Sequence, residues 1–355
     1  MISLGGSSFS DLCVKELALC GLKETEVVAV LTQGDERLDY ADAFLAAAEQ
    51  LGATAFHVRL PRQSSGLGGD SGQWTVGATP LADNRPAVEA LKAADLVIDT
   101  MFLLFSKEQL EIQAAGARML LCMEPIEHLV QLFPSTNLRE RVEFGGELLG
   151  RSSELRFTNK LGTDVAYRIG VFPVITEYGY TDEPGRWDHW PSGFLFTGGA
   201  DDGVNGKVVI GPGDIIFPFK SYVQTPIHVT IESGRIVDIR GDFDADLIAD
   251  YMASFDDEKA YGIAHIGWGL NEKARWSYLA TDRRGLGMHG RSYYGNVLFS
   301  TGPNQEFGGT NDTECHVDIP MRGCSLYLDD EPVVVDGDIV MEEMKAPRAV
   351  GVAGV

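Results

Sequence analysis

The stretch GTNDTECHVDIPMRG, Gly309 to Gly323, carries a His-x-Asp pair at His316 and Asp318. Its apolar alternation predicts a strand, on which His316 and Asp318 share one face while Cys315, Val317 and Ile319 take the other. An imidazole and a carboxylate projecting the same way are costly to bury alone and are good ligands for a divalent metal. With a second histidine they form the face that suits Fe(II), leaving positions for O2 and substrate. Zinc accepts the same set with water in the fourth place. The pair by itself leaves iron, zinc and a chance juxtaposition open.

The remaining ligand must come from a distant histidine. Seven are present: His57, His128, His189, His228, His265, His289 and His316. In the common β-barrel iron oxygenases the partner lies downstream of the His-x-Asp, and no histidine follows Asp318, which argues against that fold. His57 and His228 fall inside alternating strands and read as structural or surface residues, and His128, on a short helix after Pro125, reads as solvated. His189, His265 and His289 share the glycine-rich or aromatic surroundings of the second half. His265 sits in GIAHIGWGLNEKARW (262–276), on an apolar segment beside three glycines that permit close approach. Such a histidine is ordinarily a core residue, and the His-x-Asp is what makes it a candidate ligand. The stretch EYGYTDEPGRWDHWPSGFLFT (177–197) gathers two tryptophans, two tyrosines and two phenylalanines around His189. It reads either as a packed aromatic loop or as a pocket wall for a flat ring, with His189 as acid/base. GLGGDSG (66–72) lacks a full nucleotide-binding pattern and reads as a surface loop; no P-loop and no nucleophile elbow is present.

These residues need elements to hold them. Over the first ~150 residues strand and helix signals alternate. EVVAVLTQ (26–33), TAFHVRLP (54–61), LVIDTMFLLF (96–105) and RMLLCME (118–124) read as strands. Between them YADAFLAAAEQLG (40–52), RPAVEALKAAD (85–95) and KEQLEIQAAGA read as helices, and NLRERVEFGGELLGRSS (137–153) as a closing helix. The order implies a parallel α/β layer. From Glu154 short alternating segments dominate, including a hairpin around Glu232-Ser233-Gly234, with one helix at DADLIADYMASF (244–255). The expected architecture is an α/β, Rossmann-like N-terminal domain with a parallel sheet (1–152). An α+β metal-binding catalytic domain rich in antiparallel sheet (153–355) follows.

Bulk composition narrows the function. A chain of 355 residues, 44% apolar and 23% charged, is long enough for two cores. A net charge of -23 opposes a phosphate-tracking surface, so nucleic acid is not an expected partner. The apolar runs are too short to span a bilayer and no signal peptide is evident, so no membrane association is expected. Five cysteines without a CxxC fit a reduced cytoplasm.

TEYGYTDEPGRWDHWPSGFLF, AHIGWGLN, FSTGPN and CHVDIP together resemble the 2,5-dihydroxypyridine 5,6-dioxygenases of nicotinate and nicotine degradation. The likeness runs in order from AADLVIDTM to SLYLDD, and that family is itself similar to the thermophilic-type metalloaminopeptidases (aminopeptidase T-like). The resemblance implies an Fe(2+)-dependent extradiol-type dioxygenase that opens 2,5-dihydroxypyridine, or a close relative, with O2 to N-formylmaleamate. It makes His265, His316 and Asp318 the iron ligands and places Glu177 and His189 near the ring. Trp187, Trp190 and Phe194 are the expected stacking walls, and Ser300, Thr301 and Asn304 of FSTGPN the expected polar contacts. It also implies a homo-oligomer. The alternative is a metal-dependent aminopeptidase on the same scaffold. Against it, SGFLF stands where the peptidases carry a metal-binding glutamate, His265 where they have a second, and Leu298 where they have a histidine. Phe105 departs from the family, whose members resemble one another in carrying a histidine there, so the exact hydroxypyridine is left open.

Overall fold

The computed structural model describes residues 8–62, 79–82, 84–104 and 106–347. The loop at 66–72 and Phe105 therefore lie outside the described residues. A parallel five-stranded sheet runs in the order Thr54–Leu60, Val27–Gln33, Leu96–Asp99, Arg118–Cys122, Trp187–Trp190. Its central strands are buried throughout, as expected where helices cover both faces, which is why they read as unbroken apolar runs. The helix Leu38–Gln50 buries Tyr40, Ala41, Phe44, Ala47 and Ala48, one stripe at helical spacing. Lys107–Ala114 starts at Ser106, whose hydroxyl accepts the Gln109 N–H at 3.1 Å.

Two differences from the sequence reading matter for the site. Over 96–104 the chain is a strand only to Asp99. The buried Asp99 carboxylate accepts the N–H groups of Met101 (2.7 Å) and Leu103 (2.8 Å), so the chain turns there. Phe102 adopts φ +67° in that turn. Second, the parallel sheet takes its last strand, Trp187–Trp190, from beyond the division expected at 152/153.

Two large antiparallel sheets and a two-stranded antiparallel ribbon, Ile215–Ile216 with Ser221–Tyr222, make up the rest of the sheet structure among the described residues. The larger has eight strands, from Arg235–Gly241 at one edge to Asp338–Ile339 at the other. It contains the expected hairpin, turned by Ser233 (φ 48°) and Gly234 (φ 75°). A Cβ on Gly234 would lie 1.9 Å from the Asp201 carbonyl oxygen, so the position requires glycine. The smaller sheet runs Val317–Met321, Val297–Thr301, Ile263–Gly269, Phe194–Gly198, Ile175–Glu177. Among the described residues no helix is long and apolar enough to cross a membrane, and all five cysteines are buried and free.

Candidate metal centre

The smaller antiparallel sheet presents one functional face. Cross-strand partners share a face, and so do residues two apart. The registers Ser300–Asp318, Leu298–Gly267, Gly267–Phe196 and Phe194–Glu177 therefore align Asp318, Leu298, His265, Phe196, Phe194 and Glu177. Gly267 keeps the middle of this face low: a Cβ there would come within 1.9 Å of the Leu195 carbonyl oxygen. The register between Ile263–Gly269 and Val297–Thr301 shifts between Ile263 and Ile266. His265 lies in that irregularity, and its N–H goes to the Ser300 hydroxyl at 3.0 Å instead of to a ladder carbonyl.

His265 Nε2 and His316 Nε2 each lie 3.1 Å from Asp318 Oδ1. The donor atoms of the three residues fall within 4.8 Å of one another, the one such group of His, Cys, Asp or Glu among the described residues. The Asp318 backbone is held by Phe217, whose N–H donates to its carbonyl at 2.8 Å. Burial pushes the Asp318 carboxyl up, but the charges of His316 and Arg291 and hydrogen bonds from both histidines outweigh it. They hold the group well below its ordinary value. The donor set suits a metal: two imidazoles and an ionised carboxylate converge from one side, with apolar surface beyond. The His265 ring is set by Phe196 and Phe307, with centroids 4.9 and 6.5 Å away, while its buried Nδ1 has no hydrogen-bond partner.

Above this cluster lies a cavity of ≈ 130 Å³. That is well under the ~300–1,000 Å³ of drug-sized sites and suits a single ring. Phe194 and Phe196 stack at 5.1 Å on one wall. The parallel sheet supplies Leu121, Trp187 and His189, and the turn after Asp99 supplies Phe102 and Leu104. This is the carboxyl-end crevice where open α/β sheets place their ligands.

Glu177 and His189 both reach the cavity. Burial, helped by the negative charge of Asp188, pushes the Glu177 carboxyl well above its ordinary value, and it accepts the Ser192 hydroxyl at 3.0 Å. Burial lowers His189 to about 4, and its Nε2 is buried without a hydrogen-bond partner. The expected wall residue Trp190 is corrected. In the strand Trp187–Trp190 alternation puts Trp187 and His189 toward the cavity and Trp190 on the other face. There it is fully buried against Phe44 and Phe133. Ser300 and Thr301 do not line the cavity either. Ser300 braces the His265 backbone, and Asn304 donates to Asp201 at 2.9 Å. His128 is buried rather than solvated, between Glu124 (3.2 Å) and Asp282 (3.4 Å). His289 stacks on Tyr278 outside the cavity.

Sequence patterning did not single out Phe196, Arg291 or Lys220, all of which line the cavity. Phe196 was readable two residues after Phe194 once that segment is taken as a strand. Arg291 has no local signal, because its partner is 27 residues away: its Nε–H donates to Asp318 Oδ2 at 2.8 Å while its guanidinium lies 4.0 Å above the Phe217 ring. It orients the carboxylate so that Oδ1 meets both imidazoles. Arg291→Met should weaken Zn(II) or Fe(II) binding by ~10–100-fold, the usual cost of an outer partner of a ligand. Metal titration against a competing chelator checks this, and unchanged affinity would leave Arg291 without a positioning role.

A parallel α/β layer joined to antiparallel sheets, with two histidines and one aspartate under an aromatic cavity, defines an α/β protein with a candidate single-metal site. Comparisons with known proteins give the family. The sequence model of the 2,5-dihydroxypyridine 5,6-dioxygenase family matches residues 8–341. A 2,5-dihydroxypyridine 5,6-dioxygenase from Pseudomonas putida KT2440 is 45% identical over 336 residues, covering 94% of this chain and 96% of that protein. The solved structure of 2,5-dihydroxypyridine dioxygenase from Pseudomonas putida KT2440 superposes with TM-score 0.92 at 44% identity, covering 95% of this chain and 98% of that one. AmpT from Thermus thermophilus matches at TM-score 0.60 and 17% identity over 94% of this chain and 100% of its own, a likeness of fold alone. The chain belongs to the 2,5-dihydroxypyridine 5,6-dioxygenase family.

Proposed function

We propose that this chain cleaves the C5–C6 bond of 2,5-dihydroxypyridine, or a closely related hydroxypyridine, with O2, and that His265, His316 and Asp318 hold Fe(II). The observation that carries the reading is the convergence of both imidazole Nε2 atoms on one Asp318 oxygen at 3.1 Å, under a cavity of one-ring size. Ferrous iron on this face supplies a centre for binding O2 and passing ring electrons to it.

The chain's own groups do the rest. Trp187, Phe194 and Phe196 hold the ring flat and keep water out. His189, neutral at ordinary pH, takes the proton of the 5-hydroxyl, leaving the electron pair on oxygen and making the ring electron-rich. Glu177, kept protonated by burial, offers an O–H to a ring oxygen. In the overall balance the ring is oxidised and O2 reduced. Both oxygen atoms enter the product, C5 becoming a carboxylate and C6 a formyl group on nitrogen, which is N-formylmaleamate. Para-related hydroxyls cannot chelate one ion as a catechol does, so orientation must come from these side chains. The peptidase alternative lacks support at the residues where a second metal would need donors: Phe194, Leu195 and Leu298 are all apolar.

Protein loaded with Fe(II) without oxygen and then mixed with 2,5-dihydroxypyridine and O2 should lose ring absorbance and take up one O2 per ring. Ring loss without oxygen uptake, or neither, rejects the assignment. Hydrolysis of a leucine anilide by the zinc- or cobalt-loaded protein would favour the peptidase.

A further inference from the structure

The cavity is lined by two cations, and they are differently engaged. Arg291 is ion-paired with Asp318 at 2.8 Å. Lys220 also lines the cavity, yet among the described residues its ammonium reaches only the Gly285 carbonyl oxygen, at 2.8 Å. An ammonium has three donors, so two are left over. The residue closes the turn between Ile215–Ile216 and Ser221–Tyr222 with φ +50°, in the left-handed region that a lysine seldom occupies. Among the described residues no carboxylate forms an ion pair with the Lys220 ammonium; Glu124 and Asp282 attract it from farther off, and burial outweighs them and disfavours its charge, a cost that an arriving anion would offset.

The ring-cleavage reading, on which this inference rests, supplies such an anion. When the 5-hydroxyl O–H breaks, its proton goes to His189 and the electron pair stays on oxygen. When the C5–C6 bond opens, C5 carries a carboxylate. Glu177, a carboxyl, gives neither species a positive partner, and the Arg291 charge is shared with Asp318. We infer that Lys220 anchors the substrate by pairing its ammonium with the anionic oxygen on C5 of the ring. Lys220 is thus a residue that sets the cavity's preference for an anionic over a neutral hydroxypyridine.

The test uses metal-loaded protein without oxygen. It is titrated with 2-hydroxypyridine-5-carboxylate and with the methyl ester of that acid, following tryptophan fluorescence. The carboxylate places a fixed charge where the substrate has its 5-oxygen. The unaltered protein should bind the acid about tenfold or more tightly than the ester, as a charge-assisted hydrogen bond allows. Lys220→Met should erase that preference while ester binding stays within about twofold, and Lys220→Arg should keep it. Lys220→Gln, which can still donate to the Gly285 carbonyl, should lose the preference as Met does; it serves if the Met variant fails to fold. With 2,5-dihydroxypyridine and O2, KM should rise more than kcat falls. A preference retained in Gln, equal weakening of acid and ester, or no preference in the unaltered protein overturns the inference. The last two would leave Lys220 as a clamp on the Gly285 segment. If the acid is preferred but no ring is cleaved, the ring-cleavage reading fails and the Lys220 assignment stands as an anion site.

Discussion

His316→Ala should abolish metal retention and, with it, oxygen-dependent ring loss. The three donors are not interchangeable with their surroundings: among the described residues no other histidine, cysteine or carboxylate completes such a cluster. Removing one imidazole leaves a single histidine and a carboxylate, too few to compete with water for a divalent ion. The loss should exceed the ~10–100-fold that follows from removing a mere outer partner of a ligand. The fold should survive, because His316 lies just before its strand with its side chain 20% exposed and contributes little to the core. Its loss does remove one donor to the buried Asp318, but Arg291 and His265 continue to compensate that charge. Metal content after dialysis and thermal melting, measured together, separate the cases. A variant that melts normally and keeps its metal would reduce the cluster to an internal ion-pair network and remove the site model.

Most of the fold was legible where local pattern and tertiary role agree. The buried runs at 27–33 and 118–122 could only be central strands once helices of matching length lay between them, and the Ser233-Gly234 turn announced its hairpin. The His-x-Asp pair was readable because alternation along a strand is a local rule. The failures have two causes: a local turn or alternation that apolar patterning hides, and a deciding partner distant in sequence. LVIDTMFLLF looks like one long strand until Asp99 turns its carboxylate on the next backbone N–H groups. Trp187 and Trp190 look like one aromatic unit, yet the strand they form pairs with Arg118–Cys122, and its alternation sends them to opposite faces. Ser300 was an expected polar contact as part of FSTGPN, one of the stretches that carry the family resemblance. Its partner is instead the His265 backbone, 35 residues earlier, freed by a register shift that no local pattern encodes. Arg291 and Lys220 escaped for the same reason.

His189→Phe should lower kcat by about 10²–10⁴-fold, the range expected for losing a positioned acid/base, while preserving the bulk of the wall. Its chemistry depends on burial. Removal from water pushes the imidazole down to about 4, the repulsion of Arg291 acts the same way, and Glu124 opposes both. The neutral ring able to accept a proton is then present throughout the physiological range. The acid limb of the kcat profile contributed by this group should fall near 4, not near the ~6.5 of an exposed histidine. The same shift couples to stability. Between about 4 and ~6.5 the unfolded chain binds a proton at this position that the folded chain does not, so stability rises with pH across that window. The contribution is complete above ~6.5 and is lost as pH falls through about 4, amounting to roughly 3 kcal/mol at full extent. His289, buried and likewise lowered to about 4, adds a slope of the same sign, so the diagnostic quantity is the difference between proteins. Melting temperatures from pH 7 to 4 should fall more steeply for the unaltered protein than for His189→Phe. Parallel curves, together with an acid limb near 6.5, would mean that His189 is hydrated in the working enzyme and that burial does not tune it, whereas no change in kcat for His189→Phe would mean that another group takes the proton.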